Sequence, residues 1–189
     1  MSVFSYELKA FKFINQQFTH EALDPFFVFI TELDKSPIMI ALIAAVFLLI
    51  WRYKGRVATI KAVFAILLSV SASDLISYRI VKPLVNRPRP SHVVEANAIV
   101  RVEGKGGYHG FTSNHAANSF AYAYVIAKVF PAVAIPIFTF AGLVAYSRIY
   151  VGVHFLGDVI FGAMLGLLIA SLFMFLLGLL ERRYRLRSN

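Results

Sequence analysis

The chain has 189 residues, of which 59% are hydrophobic and only 15% charged, with a mean hydropathy of +0.70. Soluble domains are about a quarter charged, so this composition excludes an ordinary soluble fold, and the absence of cysteine excludes disulfides, thiolate metal centres and cysteine nucleophiles. The 19 basic against 10 acidic side chains would suggest nucleic acid in a soluble protein. Here they point to anchoring against anionic lipid and to an anion site, with no nucleic-acid partner.

Residues 1–34 alternate apolar and polar positions without a pure apolar run. Phe4, Leu8, Phe11 and Ile14 or Asn15 fall near helical spacing, which predicts a helix lying in the membrane interface; packing against the bundle is the competing reading. Asp24-Pro25 predicts the start of a second short helix. The opening residues lack a basic region followed by an apolar core, so no cleavable signal is expected.

Five apolar stretches near the ~20 residues that cross a bilayer then follow. They run over residues 37–51, 57–81, 116–130, 132–150 and 155–180, and the chain ends in the basic tail ERRYRLR. Residues 82–114 form a polar loop outside the hydrocarbon, with His92, Glu95, Glu103, Lys105, His109 and the glycines expected to form a mobile, headgroup-facing segment. The expected architecture is all-α: a polytopic membrane bundle of about five spans plus N-terminal interfacial helices, one domain over residues 1–189. The 51–61 loop, Lys128 and the tail carry nine of the 19 basic residues. With Lys82, Arg89 and Arg148 set aside as anion-site residues, nine stand against seven, which places the tail in the cytoplasm and the polar loop on the periplasmic or outer face of the inner (plasma) membrane.

Three segments carry chemistry. In SRIYVGVHFLGD, His154 and Asp158 are four apart, one helical turn, close enough to pair. A carboxylate that accepts one imidazole N–H leaves the other nitrogen as a base or nucleophile, and Arg148 could hold an anion against it. Lys82 and Arg89, stiffened by Pro83, Pro88 and Pro90, suit a multiply charged anion; alone they are weak, since basic residues at a span's end ordinarily snorkel. Ser113 and Asn114 open the third span, where free backbone N–H groups bind phosphate. His115 in its first turn could protonate a leaving oxygen. Asp74 lies inside the second span, where a carboxylate is costly and usually functional or paired; it could steady the site's cations or pair with Arg79.

In order and spacing, Lys82…Arg89-Pro90, Ser113…His115 and Ser147-Arg148…His154…Asp158 resemble the signature of the type 2 phosphatidic acid phosphatase superfamily, the membrane lipid-phosphate phosphatases. The resemblance covers residues 82–158 and departs at Thr112 and Asn114, which stand where the family has proline and glycine. Both positions are expected to act through backbone N–H groups, with Asn114 narrowing the room for a headgroup.

The resemblance implies a lipid phosphate or pyrophosphate substrate, such as undecaprenyl pyrophosphate, the 1-phosphate of lipid A, or phosphatidylglycerol phosphate. It implies that His154 forms a phosphohistidine with Asp158 behind it. Lys82, Arg89, Arg148 and the amides near Ser113 and Asn114 would bind the phosphoryl oxygens, while His115 acts as acid and then base. No metal, cofactor or obligate protein partner is implied. A transporter or flippase is the alternative, but it would spread polar groups through the bundle centre, whereas these cluster at one rim. A vanadate-binding peroxidase would share the anion site, but such enzymes are soluble.

Overall fold

The computed structural model of the chain describes residues 3–104 and 106–188. Lys105, and the side chains of Val3 and of residues 184–188, lie outside what it describes. Among the described residues there is no strand, only an isolated bridge between Pro88 and His109.

Two short helices come first, α1 (Val3–Lys12) and α2 (Asp24–Glu32). The next helical stretch, Pro37–Ile76, is interrupted at Gly55, whose φ of 83° is left-handed and accessible to glycine without a Cβ clash. We therefore treat it as α3 (residues 37–54) and α4 (residues 56–76). Met39 and Tyr78 line one cavity, although a straight helix would hold residues 39 apart nearly 60 Å from each other at ~1.5 Å per residue. The chain must double back at Gly55.

Helix α4 continues through a widened turn, Ser77–Val81, into a last turn, Lys82–Val85. The polar segment leads to α5 (Asn114–Val129), α6 (Ala134–Tyr150) and α7 (Leu156–Ser188). Among the described residues, three stretches are long and apolar enough to cross a membrane: Pro37–Val85, Pro131–Tyr150 and Leu156–Arg183. The first of these is the doubled α3–α4 pair. Helix α5 has 16 residues, roughly 24 Å, which is short for a ~30 Å hydrocarbon core. It runs between α6 and α7 as the centre of the bundle.

The interior packs through small residues, because lipid tails are as apolar as leucine and helices associate in membranes by close contact instead. Gly162 and Gly166, one turn apart on α7, lie so close to α5 that a Cβ on either would meet the carbonyls of Ser113 and Ala117. Ala116, Ala117 and Ala121 on α5 are buried. This contact locks the start of α5, with His115, against the start of α7, with Asp158. Large apolar side chains such as Ile40, Leu48, Leu168 and Phe175 point outward, as lipid-facing positions should.

The far end of the bundle gathers the Gly55 turn, the α5–α6 turn and α7. Tyr53 stacks on Phe130 at 6.0 Å, Lys54 lies 5.9 Å from the same ring, and Lys61 pairs with Glu181 at 2.8 Å. The basic groups of the 51–61 loop, Lys128 and Arg182–Arg183 therefore share one end, opposite the polar segment.

Helix α1 is amphipathic and docks on the bundle. Phe11 is fully buried, and Phe4 and Phe11 pack edge-on against Phe155 at 6.1 and 5.3 Å. The polar segment is pinned, contrary to the mobile loop expected for it. Arg89 N–H donates to Tyr108 O and Gly110 N–H to Arg87 O, at 3.0 and 2.8 Å. The buried Asn15 side chain donates to the carbonyls of Ile99 and Tyr150 and accepts from Ile99 N–H. Arg101 pairs with Asp24 at 3.1 Å.

Candidate active site

The turn between α6 and α7, residues 151–155, is shaped by two facts. Arg148 O accepts both Val153 N–H and His154 N–H, at 3.1 and 3.2 Å. Gly152 adopts φ +84°, and a Cβ there would strike Ile99 O. Together they bury His154 at the head of α7 with its side chain only 2% exposed.

The two ring nitrogens of His154 face different partners. Nδ1 lies 3.4 Å from Asp158 Oδ2, and Nε2 lies 3.1 Å from Arg89 Nη1. A guanidinium can only donate, so Nε2 must carry the lone pair and Nδ1 the proton. Burial, followed by the positive charge of Arg89 and Arg148 and the nearby His115 and Lys82, holds the His154 imidazole well below its ordinary range. It is neutral at ordinary pH, with its free electron pair aimed into a cluster of cations.

Asp158 is fully buried and held by hydrogen bonds to Oδ2 and its backbone carbonyl and by an ion pair at Oδ1. Its Oδ2 accepts Phe155 N–H at 2.9 Å, its backbone carbonyl accepts Ser113 N–H at 2.9 Å, and its Oδ1 faces Arg87 Nη1 at 3.2 Å. Arg87 lies over the Phe155 ring at 4.8 Å and is gripped on its other side by Glu7 of α1. Glu7 also accepts Gly157 N–H at 2.9 Å. Neither Glu7 nor Arg87 stood out in the sequence, although Arg87 lies between Lys82 and Arg89 in plain view.

The three anticipated cations converge. Arg89 reaches Val153 O at 3.0 Å as well as His154, and Gly106 and Gly110 press on its side chain from above. Arg148 donates to Thr31 Oγ1 at 2.6 Å. Lys82 is buried, sits 4.0 Å over the Tyr78 ring and donates to Asn114 Oδ1 at 2.9 Å. The Nε atoms of Arg89 and Arg148 make no hydrogen bond within the protein. Buried donors of that kind need an acceptor, and a phosphoryl group supplies several.

Two expectations for the start of α5 are corrected. The Ser113 amide cannot bind an anion, because it is already bonded to the Asp158 carbonyl; the free amides of this helix start at Asn114. The Asn114 side chain is also not passive. Its Oδ1 accepts from Lys82 and from Ser77, and its Nδ2 donates to Asp74 at 2.6 Å. Asp74 thus acts on the site through Asn114, which settles its orientation toward Lys82 instead of Arg79.

His115 has a different setting. Its side chain is 29% exposed, and Nε2 lies 3.4 Å from Oδ2 of Asp34, in the turn between α2 and α3. It lines a cavity of about 620 Å³ that runs between α3, α4, α5 and α6. The walls are mostly apolar, with Met39, Leu42, Val46, Phe47, Ile137 and Phe140, and the charged and titratable groups Asp34, Asp74 and His115 line it together with Asn114 and Asn118. An aliphatic chain fits the apolar walls, and a charged group fits beside the polar residues. His92 and His109 flank Tyr108 at 5.6 and 5.5 Å, and among the described residues no cluster of three metal-binding side chains occurs.

A membrane helical bundle with two histidines and three cations at one rim defines the class. The chain belongs to the PAP2 superfamily, whose model matches residues 58–180. Among curated relatives it is 37% identical over 154 residues to the Lipid A 4'-phosphatase of Porphyromonas gingivalis, covering 79% of this chain and 64% of that protein. It is 35% identical over 125 residues to the Lipid A 4'-phosphatase of Bacteroides thetaiotaomicron, covering 64% and 55%. The chain thus spans less than two thirds of the length of both. Among solved structures, LpxE of Aquifex aeolicus superposes with a TM-score of 0.68 at 25% identity, covering 88% of this chain and 93% of that one. A transmembrane PAP2-type phosphatidylglycerolphosphate phosphatase from Bacillus subtilis gives 0.69 at 25% identity, covering 95% and 87%.

Proposed function

We propose that the protein is a membrane phosphatase that removes phosphate from a lipid through a phosphohistidine on His154. The observation that carries this reading is the His154 imidazole. It is neutral and buried, its Nδ1 faces a carboxylate, and its Nε2 points at Arg89 among converging cations. An activated nucleophile next to preorganised positive charge is what phosphoryl transfer requires.

In the first step Nε2 attacks phosphorus and the bond to the lipid oxygen breaks. Arg89, Arg148 and Lys82 stabilise the charge on the equatorial oxygens, and the departing lipid oxygen takes a proton from His115. In the second step water attacks the phosphohistidine, its proton passes to His115, and His154 is released. Every step runs on side chains of this chain, so the reading requires no metal.

The mostly apolar cavity lined by His115 supports a lipid substrate. The names of the two curated relatives make the 4'-phosphate of lipid A the first substrate to test. Undecaprenyl pyrophosphate, lipid A 1-phosphate and phosphatidylglycerol phosphate follow. The clustering of the basic groups at the far end supports a cytoplasmic tail, with the site on the outer face of the inner membrane. Phosphate release from this panel, with EDTA present throughout, tests the reading. Release from at least one lipid is expected, and inactivity that magnesium restores would overturn the metal-independent mechanism. Single cysteines at Val94 and Arg182, probed with an impermeant thiol reagent in intact cells, test orientation. Labelling at position 182 but not 94 would reverse it.

A further inference from the structure

His154 has its carboxylate four residues away, within the family's own motif. His115 has none nearby in sequence, yet an acid that must also act as a base needs its ring held and its charged form supported. The structure supplies that partner from a distant segment. The turn Leu33–Lys35 precedes α3 and brings Asp34 Oδ2 to 3.4 Å from His115 Nε2. It lies outside the residues that match the family model.

The turn is well fixed. Leu33 and Thr31 are buried, Thr31 Oγ1 accepts from Arg148, and Ser36 caps α3 by accepting Ile38 N–H at 3.2 Å. One short segment therefore touches both a phosphate-binding cation and the proton-transfer histidine. The His115 ring holds the Asp34 carboxyl below its ordinary range, so it is ionised at neutral pH.

We propose that Asp34 is the positioning carboxylate of His115, giving the chain a second His–Asp pair assembled across the fold. The inference rests on the acid–base role given to His115 above. Asp34 faces one ring nitrogen and leaves the other for the reacting oxygen. A carboxylate there favours the protonated ring. Burial opposes it most, followed by Arg148 on α6 and Lys35 in the same turn, so the ring sits below its ordinary range even with Asp34 in place. His154 lies across the site, and Asp74 on α4 is engaged by Asn114 and Asn118. Asp34 takes no proton in either step. The proton leaves His115 for the lipid oxygen as the P–O bond breaks, and returns from water as the N–P bond breaks.

The experiment measures phosphate release against pH for wild type, Asp34→Asn, Asp34→Glu, His115→Ala and the double variant Asp34→Asn/His115→Ala. A lipid phosphomonoester and a lipid pyrophosphate are compared in the same detergent. Without the carboxylate the ring loses its proton at lower pH, so the alkaline limb of Asp34→Asn should move down by about one unit. Its monoester rate at pH 8 should fall roughly ten- to a hundredfold, within the range of positioned acid–base groups. The pyrophosphate, whose leaving group needs a proton less, should suffer less. Asp34→Glu should recover most of the rate, and the double variant should be no slower than His115→Ala.

An Asp34→Asn profile that overlays wild type overturns the inference. So does an equal loss on both substrates at every pH without rescue by glutamate. If Asp34→Asn is poorly folded by thermal denaturation, Asp34→Ser with the same readouts decides in its place. Wild-type rates in His115→Ala would instead overturn the role of His115 itself, whatever Asp34 does.

Discussion

The two histidines occupy opposite kinds of environment. His154 is 2% exposed and backed by a fully buried carboxylate from the first turn of the adjoining helix, while His115 is 29% exposed and partnered by a carboxylate that is itself 53% exposed. One sits among cations in a closed turn, the other among the polar residues of a mostly apolar cavity. A nucleophile benefits from burial, since desolvation keeps it neutral and the local charges strong. A proton-transfer group must reach both a departing lipid and an arriving water, so it belongs where the cavity opens. On the roles proposed above, the difference would set a preorganised phosphoryl pocket beside an accessible proton relay at one rim.

The sharpest way to break this division is to remove the buried histidine. His154→Ala should lower phosphate release to background, a loss of more than about 10⁴-fold if it is the nucleophile. Gel-filtration behaviour matched to wild type shows that the fold survives, and near-normal turnover would make the buried histidine dispensable. His115→Ala should be graded instead. We expect about 10²–10⁴-fold on a phosphomonoester and less on a pyrophosphate, with acid-labile phosphoenzyme accumulating in a rapid quench of the latter. Trapped label in His154→Ala and none in His115→Ala would exchange the two roles.

Arg89→Lys probes the boundary between the two environments. Arg89 reaches Val153 O and His154 Nε2 through Nη1 alone and keeps Nε without a hydrogen-bond partner among the described residues. A lysine has no such second planar donor to offer a phosphoryl oxygen, so kcat should fall about a hundredfold by steady-state assay. A loss of only a few-fold would mean that charge alone suffices. Filling the cavity with Ile137→Trp should reduce the preference for long-chain over short-chain lipid phosphates by about tenfold in kcat/KM, at ~1.4 kcal/mol per tenfold. Unchanged preference would remove the cavity from substrate binding.

Acid offers the mildest test. The folded protein holds His154 neutral, whereas the unfolded chain takes up a proton near pH 6.5. Stability should therefore fall as the pH drops below about 6.5. The ionised Asp34 acts in the same direction at lower pH, because its depressed carboxyl stabilises the fold only above the ordinary carboxylate range. The acid limb of activity should lie below the ordinary histidine pKa. A limb centred at 6.5 or above would mean that His154 is not shielded in this way.

Much of this was legible in the chain. Composition and apolar runs determined a membrane helical bundle, because only helices or closed barrels satisfy the backbone in lipid. The four-residue spacing of His154 and Asp158 pointed to their proximity, although His154 lies in the turn before α7 and not on the helix, so the turn brings the two together at 3.4 Å. Lys82, Arg89 and Arg148 were recognisable as a set only through their order along the chain. Other contacts had no local signal. Glu7, Arg87 and Asp34 are ordinary charged residues in segments that look like surface, and their partners lie 150, 71 and 81 positions away in sequence. Asn114 looked like a mild departure until its carboxamide was seen joining Asp74 to Lys82.

The sequence alone therefore determined the class of fold and pointed to the residues proposed for phosphoryl chemistry, since these depend on periodicity and side-chain type. The tertiary structure alone decided that the chain doubles back at Gly55 and that the Ser113 amide is occupied. It also decided that α1 braces Asp158 through Glu7 and Arg87, and that His115 faces Asp34. Each of these depends on how distant segments approach one another, as Gly162 and Gly166 let α7 meet α5 and Gly157 lets Glu7 reach the head of α7. Contacts between distant segments follow from packing geometry, which no single stretch of sequence encodes.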